Sequence, residues 1–281
     1  MYIVFDIGGT NIRMALSRDG ETIETPVVRE TPQEFEDGLA CFADMFREVS
    51  DGATIIKTAG GVAGVFNRRR QHLYSLPHLP LWDAAGLKAR LDDITNTSVF
   101  LDNDTAMVGL GEAVSGAGRG FTIVAYLTVS TGVGGARVID GKLDVGVMNF
   151  EPGHQIIDID GTYCPDCTAF EDGVSLGHFE SLVSGASMEK RFGKSPSDIH
   201  DQSVWDEEAR IIAAGLSNTI LHWSPDVVVL GGGMMKSKEL SIESIQDHLN
   251  SFLTIYPNHP EIIKAELGSF GGLYGALSVL R

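Results

Sequence analysis

The residues of this chain that could do chemistry begin in its first strand and turn. An apolar run from Tyr2 to Phe5 is followed by Asp6 and the pair Gly8-Gly9, and a strand-like alternation resumes at Ile12. This pattern predicts a β-hairpin whose glycine turn brings backbone N–H groups close to a bound phosphate. Asp6, at the mouth of the turn, is placed to hold a hydrated Mg²⁺, because that cation prefers oxygen ligands. Taken alone, the turn also fits an ordinary hairpin with a solvated aspartate.

A second group of polar residues follows a buried-type strand, Ser98 to Leu101. Asn103 and Asp104 come where this strand gives way to a predicted helix, Ala106 to Ser115, with Asp104 or Thr105 as its N-cap. Open α/β sheets bind ligands at the carboxyl ends of their strands, so these side chains are candidates for a functional site. The alternative is that Asp104 only caps the helix.

The strand and glycine-turn pattern occurs again later in the chain. Phe121 to Val129 predicts a strand, Ser130 to Gly135 a glycine turn and Ala136 to Ile139 the return strand. A third glycine turn, Gly231 to Gly233, follows the predicted strand Val227 to Leu230. Two strand–turn–strand units separated by a helical region predict two related α/β domains, whose glycine turns could face each other across a cleft.

The other elements needed to position these turns are predicted from hydrophobic periodicity and from capping signals. Four of these predicted features lie in the first half of the chain. They are a strand from Thr22 to Val28, a capping box at Thr31–Glu34 that starts a helix, a strand from Thr54 to Ala59 and a helix from Ala84 to Leu91. The first helix should bury a stripe of Phe35, Leu39, Phe42, Phe46 and Val49. Later helices are predicted at Asp206 to Trp223, at Ser241 to Phe252 and from Gly271 onward.

Composition limits the classes of function. The 281 residues are 43% apolar, which is enough for a full core, and they include no apolar run of membrane-spanning length. We therefore expect a cytoplasmic protein that does not bind a membrane. The formal charge of −17 argues against a nucleic-acid partner, since phosphate backbones are bound by clustered Lys and Arg. Gly193-Lys-Ser195 lacks the earlier glycine of a Walker-type loop, so a P-loop is not the alternative.

Two of the three cysteines form the pair Cys164-Pro-Asp-Cys167. So few cysteines do not make a disulfide framework. The spacing of this pair suits a metal clip or a redox pair.

Together these motifs resemble the ROK family of sugar kinases (glucokinase-like and N-acetylhexosamine kinase-like) in the actin-like ATPase superfamily. The resemblance covers nearly the whole chain, and five fragments occur in the family's order and spacing. They are Asp6 to Asn11, Leu101 to Ala106 with Gly111-Glu112, Thr131 to Gly135 with Asp140 to Lys142, Glu151 to His154, and Gly177 to Glu180 with Ser184-Gly185.

The resemblance implies a fold of two actin-like, ribonuclease H-like α/β domains with a cleft between them. The small N-terminal domain would comprise residues 1–103, with a C-terminal helix at about 270–281 packing back on it, and the large domain residues 104–269. It also implies an ATP- and Mg²⁺-dependent hexose kinase. The phosphoryl acceptor would be a hydroxyl of a hexose or N-acetylhexosamine, the 6-hydroxyl in a glucokinase-like enzyme, and the protein would be a homodimer.

The resemblance also supplies roles. Phosphoryl transfer needs positioning, charge neutralisation and a base for the hydroxyl proton, and Asp104 matches the base. The implied sugar-binding residues are Gly61, Asn103, Asp104, Glu151, His154 and Glu180. The implied ATP-binding residues are Asp6, Gly8, Gly9, Thr10, Asn11, Thr131, Gly132, Gly134, Gly231, Gly232 and Gly233, with Asp6 holding Mg²⁺ through water.

One departure from the family pattern concerns a metal. Many ROK proteins hold a structural zinc with one histidine and three cysteines, and here His178 stands where the third cysteine would be. A Cys₂His₂ zinc site from His154, Cys164, Cys167 and His178 is one interpretation, and loss of the site is the other. If zinc binds, it would order the loop that carries Glu180.

Two other functions compete with the kinase. The family includes transcriptional repressors, so a non-catalytic sugar sensor is the alternative. Those repressors carry an extra N-terminal DNA-binding segment, which we do not expect here because the first glycine turn begins at Asp6. A third interpretation is an ATPase regulator on the same fold, against which the sugar-type Glu151-x-Gly-His154 argues.

Overall fold

The structure is a computed structural model that describes residues 1–66, 73–146, 149–159 and 177–281. In the first half of the chain the elements are β1 (Tyr2–Ile7), β2 (Asn11–Ser17), β3 (Val27–Glu30), α1 (Phe35–Ser50), β4 (Lys57–Val62), β5 (Val65–Phe66), β6 (Leu73–Ser75), α2 (Ala84–Thr95), β7 (Val99–Asn103) and α3 (Asp104–Ser115). The later elements are β8 (Ile123–Val129), β9 (Val133–Ile139), β10 (Lys142–Leu143), α4 (Phe179–Val183), α5 (Gly185–Phe192), α6 (Gln202–Trp223), β11 (Val227–Gly231), α7 (Ile242–Phe252), β12 (Glu261–Lys264) and α8 (Gly271–Ser278).

Two five-stranded sheets have equivalent topologies. Their strand orders are β3-β2-β1-β4-β7 and β10-β9-β8-β11-β12. Each is built on an antiparallel hairpin, β1 with β2 or β8 with β9, and continues with two parallel strands, β4 and β7 or β11 and β12. The prediction of two related α/β halves, each beginning with a strand, a glycine turn and a return strand, is confirmed.

Packing divides the chain into two compact units. The first consists of Met1–Gly116, Gly141–Asn149 and Leu267–Arg281, and the second of Ala117–Asp140 and Phe150–Glu266. These units group α3 with the N-terminal strands. The division into folding domains at residues 1–103 and 104–269 stays a prediction.

In the first unit, α8 packs against α3 and against β1 through a buried cluster that includes Val4, Met107 and Leu273. The two helices approach closely because Gly111 and Gly275 lie at their contact. A methyl group on Gly275 would overlap the Met107 carbonyl oxygen, and one on Gly111 would overlap a carbonyl of α8. Small residues therefore set the distance between these helices.

The other face of the first sheet is covered by α1. Leu39 and Phe42 are buried, and Phe35, Phe46 and Val49 are partly buried against the same core, so the predicted stripe is confirmed. Phe42 meets Phe5 of β1 edge to face, with ring centroids 4.9 Å apart.

Two predicted details of this region are wrong. Glu34 is the N-cap of α1 and makes no side-chain capping hydrogen bond, so Thr31–Glu34 is not a capping box. The Thr31 hydroxyl instead donates to the Gly8 carbonyl oxygen at 2.7 Å. The third strand begins at Val27 instead of Thr22, because the Asp19 carboxylate accepts hydrogen bonds from the backbone N–H groups of residues 21 and 22 and holds a turn there.

Strand β4 extends past the predicted end at Ala59 to include Gly60 and Gly61. Gly60 faces the Phe5 ring so closely that a methyl group would overlap it. Here the glycines serve close strand packing and do not end the strand.

Within the ranges that the structure describes, no helix is long and apolar enough to cross a membrane.

Candidate functional site

The first unit brings several predicted residues to the carboxyl ends of three neighbouring strands. In the parallel register of β1, β4 and β7, Asp6 lies beside Gly61, and Gly61 lies beside Asp102. Asn103 ends β7, and Asp104 begins α3 directly after it. Three strands that end together thus collect polar groups at one edge of the sheet, where open α/β sheets bind ligands.

Asp104 is a partly buried carboxyl group close to this edge. Its Oδ1 atom accepts a hydrogen bond from the Thr105 backbone N–H at 2.8 Å. Burial raises the pKa of Asp104, while the Thr105 N–H and the charge of His78 lower it. A carboxyl group with a raised pKa, and with one oxygen not used in this bond, is suited to accept a proton from a substrate hydroxyl.

Gly61 has a packing reason for lacking a side chain. A methyl group on it would lie 3.0 Å from the Asp104 Cα atom and 3.4 Å from a side-chain carbon of Met107. This glycine therefore lets β4 approach the start of α3. Its contact with a sugar stays a prediction.

Asn103, and not Asp104 or Thr105, is the N-cap of α3, so that part of the sequence prediction is wrong. Its Oδ1 atom accepts from the Ala106 backbone N–H at 3.0 Å, and its Nδ2 atom donates to the Gly64 carbonyl oxygen at 3.1 Å. An amide side chain has four hydrogen-bonding positions, so one N–H and one lone pair remain for a ligand.

Asp6 forms an ion pair with Arg13, its partner across the β1–β2 hairpin. The Arg13 Nη1 atom lies 3.0 Å from Asp6 Oδ2, and both side chains are mostly buried. Burial and the nearby charge of Asp104 raise the pKa of Asp6 to about 6, against the lowering effect of Arg13. A buried carboxylate beside a second acid is stabilised by a divalent cation, so Asp6 fits the hydrated Mg²⁺ that the sequence predicts.

The first glycine turn is held from one side by Thr31. The Gly8 N–H donates to the Asn11 carbonyl oxygen at 3.0 Å, which closes the turn. The Thr31 N–H donates to the Thr10 carbonyl oxygen at 2.9 Å, and the Thr31 hydroxyl donates to the Gly8 carbonyl oxygen. In the described part of the chain no acceptor takes the N–H groups of Gly9 and Thr10. Donors of this kind are what a phosphate group needs.

His78 is a residue of this site that the sequence reasoning missed. A methyl group on Gly9 would lie 2.8 Å from the His78 Cβ atom and 3.2 Å from the His78 carbonyl oxygen. The neighbours Leu79 and Trp82 are 0% and 6% exposed and anchor the loop in the core, whereas His78 is exposed. In the sequence it is only one polar residue in an irregular proline-rich loop, so no motif marks it.

The second unit contains the other glycine turn and Glu180 of α4. The Val133 backbone N–H donates to Glu180 Oε2 at 2.6 Å, and a methyl group on Gly132 would lie 2.6 Å from the same oxygen. The Ser130 N–H donates to the Gly132 carbonyl oxygen at 2.8 Å. The structure thus joins a predicted sugar-binding carboxylate to the predicted phosphate turn, which sequence spacing did not indicate.

The remaining residues of the second turn and the third glycine run lie in the same unit. Thr131 is exposed, and Gly134 lies opposite Thr128 in the β8–β9 hairpin. Gly232 has φ +98°, a conformation that favours glycine, and a methyl group on Gly231 would lie 2.5 Å from the Tyr126 hydroxyl oxygen. Packing explains why Gly231 has no side chain, and backbone conformation explains it for Gly232. The contact of these glycines with the nucleoside stays a prediction.

The predicted zinc ligands fall into two groups. The rings of His154 and His178 meet edge to face, with centroids 5.6 Å apart, a separation compatible with two imidazoles on one metal. Cys164 and Cys167 lie outside the described residues. Within the described ranges, no group of three or more His, Cys, Asp or Glu side chains could hold a metal. Glu151, the first residue of the sugar-type motif, is exposed beside the short 3₁₀ turn Pro152–His154.

Comparisons with known proteins agree with this architecture. A sequence profile described as the ROK family matches residues 2–281. A glucokinase from Thermotoga maritima is 29% identical, over 98% of this chain and 96% of the relative. The crystal structure of a ROK hexokinase from Thermus thermophilus superimposes with a TM-score of 0.80 at 26% identity, over 99% of this chain and 97% of that chain.

A second solved structure is described as a ROK family transcriptional regulator, a homolog of the E. coli MLC protein. It superimposes with a TM-score of 0.80 at 19% identity, over 99% of this chain and 77% of that chain. At that identity the likeness concerns the fold alone. These likenesses confirm the predicted fold class of two actin-like, ribonuclease H-like α/β domains.

Proposed function

This chain belongs to the ROK family, and on that premise we propose that it is an ATP-dependent hexose kinase with Asp104 as its general base. The observation that carries the proposal is the position of Asp104. It is a partly buried carboxyl group with a raised pKa, and it stands at the strand edge that also holds Asp6. Asp6 in turn lies near the end of β1, the strand that leads into the first glycine turn.

In the proposed reaction, Asp104 accepts the proton of a sugar hydroxyl as that oxygen attacks the γ-phosphorus. Such a base typically contributes about 10²- to 10⁴-fold to the rate. The N–H groups of Gly9 and Thr10 bind phosphate oxygens, and Thr31 holds their turn in place. Asp6 would hold Mg²⁺ through water, and the cation would supply neutralisation of phosphate charge.

The proposed sugar-binding groups beyond Asp104 are Asn103, Glu151, His154 and Glu180. Asn103 would use the N–H and the lone pair that its capping and Gly64 bonds leave over. Glu180 would use Oε1, since Oε2 is bound to the Val133 N–H. We propose a hexose or an N-acetylhexosamine as the acceptor, with the primary 6-hydroxyl as the reacting group, and a homodimer as the assembly.

We also propose that zinc is bound by His154, His178 and the pair Cys164 and Cys167. Support comes from the imidazole pair at 5.6 Å and from the chemistry of two thiolates and two imidazoles, an ordinary tetrahedral zinc set. The backbone N–H of residue 179 bonds to the carbonyl oxygen of residue 155 at 2.8 Å, beside both histidines. Zinc would therefore stabilise the start of α4, which carries Glu180.

A non-catalytic sugar sensor is the second candidate, because a regulator shares this fold. The two functions are separated by ADP release in a coupled assay with Mg²⁺-ATP and a panel of glucose, mannose, fructose and N-acetylhexosamines. A kinase turns over at least one sugar, and its Asp104→Asn variant does not. Sugar-induced thermal stabilisation without any turnover would contradict the kinase and support the sensor.

A further inference from the structure

His78 lies between two groups that the proposed reaction uses. Its Cβ atom and carbonyl oxygen pack against Gly9 of the first glycine turn, and its charge acts on Asp104 of α3. The loop that carries it is fixed at both ends. The Leu79 N–H donates to the Leu76 carbonyl oxygen at 2.9 Å. The Trp82 indole donates to the carbonyl oxygen of Pro32, in the segment that precedes α1. The imidazole is thus exposed but held on a rigid support.

Asp6 and Asp104 are each influenced by one basic side chain, and these two side chains differ in their hydrogen bonds. Arg13 is the cation that acts on Asp6, and its Nη1 atom is hydrogen-bonded to that carboxylate at 3.0 Å. His78 is the basic residue whose charge acts on Asp104, and the described part of the chain offers its ring no hydrogen-bond partner. The imidazole nitrogens of His78 are therefore left for a ligand, whereas the Arg13 guanidinium already pairs with the Asp6 carboxylate.

A hydrogen-bond donor at this position would assist phosphoryl transfer. Negative charge is spread over the oxygens of the transferred group, and fixed donors or cations at that place lower the barrier. The N–H groups of Gly9 and Thr10 supply two donors on one side of the turn. The imidazole of His78, a residue that packs on Gly9 and whose charge acts on Asp104, would supply a third donor.

We propose that His78 binds the transferred phosphoryl group, with an imidazole N–H donating to one of its oxygens. This inference rests on the proposed kinase function and adds a residue to it. The histidine forms no bond to phosphorus and takes no proton from the acceptor, which Asp104 does. Its contribution is to hold the γ-phosphoryl group and to stabilise its charge.

The variant that tests this is His78→Ala. Alanine keeps the Cβ atom and the backbone that pack against Gly9, and it removes only the imidazole. We expect kcat to fall about 10- to 100-fold, with KM for the sugar changed less than about threefold. Free imidazole should restore part of the lost activity. His78→Gln, which keeps a donor, should lose less, and His200→Ala, at an exposed histidine of the second unit, should behave like the wild type.

A binding measurement separates failure of this inference from failure of the kinase function. By calorimetry, a non-hydrolysable ATP analogue with Mg²⁺ should bind His78→Ala about 10-fold more weakly than the wild type, and ADP should bind both alike. If the wild type phosphorylates a sugar, but kcat and the affinity for the ATP analogue are both unchanged in His78→Ala, the inference is wrong and the kinase function is retained. Weaker binding of the analogue without wild-type turnover would retain the contact of His78 with the γ-phosphoryl group but overturn its role in transfer, together with the kinase function. A loss of kcat with a lowered melting temperature and no rescue by imidazole would assign His78 to structure alone and overturn the inference.

Discussion

The carboxylate of Glu180 accepts a hydrogen bond from the backbone N–H of Val133, with 2.6 Å between Oε2 and the nitrogen. The two residues are 47 positions apart, and the contact connects α4 to the second glycine turn. Gly132 makes room for it, because any side chain there would press on the same oxygen. One acidic residue thus supports a turn proposed for phosphate while it is proposed to bind sugar.

This contact predicts that Glu180→Ala affects both stability and the second turn. A hydrogen bond to a charged group contributes about 1.5–3 kcal/mol, so we expect the free energy of unfolding in urea to fall by about 2 kcal/mol. KM for ATP should rise together with KM for the sugar. Glu189→Ala, at an exposed carboxylate on the adjacent helix, is the control and should change neither. An unchanged KM for ATP in Glu180→Ala would contradict the link between the two functions.

Asp104→Asn should separate chemistry from sugar binding. Asparagine has nearly the shape of aspartate but cannot accept the hydroxyl proton as a base, so we expect kcat to fall at least about 100-fold. The thermal stabilisation produced by the sugar should remain. Turnover within a few-fold of the wild type would show that Asp104 is not the base.

Glu208 predicts a pH dependence of stability in the second unit. It is buried, its Oε1 atom has no hydrogen-bond partner in the described ranges, and Arg191 Nη1 lies 3.4 Å from Oε2. Burial raises the pKa of Glu208 to about 8 against the effect of Arg191. The folded state therefore holds this proton more tightly than the unfolded chain. The resulting stability is complete below pH 4.5, the ordinary pKa of the carboxyl group, and is lost as the pH rises to about 8.

Glu208→Gln removes this titration and keeps an acceptor for Arg191. We expect its melting temperature to match that of the wild type near pH 4, where the wild-type carboxyl group is protonated in both states. At pH 9 the variant should be more stable by up to about 5 kcal/mol, since the pKa is raised from 4.5 to about 8 and each unit corresponds to about 1.4 kcal/mol. Glu207→Gln, at the half-exposed neighbouring carboxylate, should keep the wild-type pH trend. Parallel pH curves for Glu208→Gln and the wild type would contradict the raised pKa.

Gly275→Ala should disrupt the contact between α3 and α8. The new methyl group would overlap the Met107 carbonyl oxygen, which is backbone and cannot rotate away. Overpacking of this kind costs about 1–3 kcal/mol, and we expect a loss of that size in the free energy of unfolding measured with urea. Ser278→Ala, on the same helix, should cost less than about 1 kcal/mol because it removes only a hydroxyl bond to the Tyr274 carbonyl oxygen. Equal stability of the two variants would mean that the helices can move apart freely.

The zinc proposal predicts about one zinc per chain by plasma mass spectrometry. Cys164→Ser should lose the metal, and so should His178→Ala, because each removes one of four ligands. Cys41→Ser is the matched control, since Cys41 is a free, half-buried thiol on α1. Removal of zinc with a chelator should lower the affinity for sugar more than the affinity for ATP. A metal-free wild type would leave His154 and His178 as a packed aromatic pair.

Much of this protein was predictable from short-range pattern. The alternation around Gly8-Gly9, its recurrence at residues 121–143, and the stripe on α1 depend on residues close in sequence. They predicted the two related halves and the family. Asp6 and Asn103 were predictable as polar residues at strand ends, because the end of a strand is marked locally by the change from apolar to polar residues.

The tertiary structure decided which groups those residues meet. Asn103 caps α3 in place of Asp104, Thr31 holds the Gly8 carbonyl instead of starting a helix, and His78 packs on Gly9. The contacts of Thr31 and His78 depend on a partner brought close by packing. The cap of α3 is local, but a one-residue shift of the helix start changes which side chain supplies it. Periodicity specifies which face of an element is buried, whereas a hydrogen bond between distant residues such as Glu180 and Val133 exists only once both elements are packed.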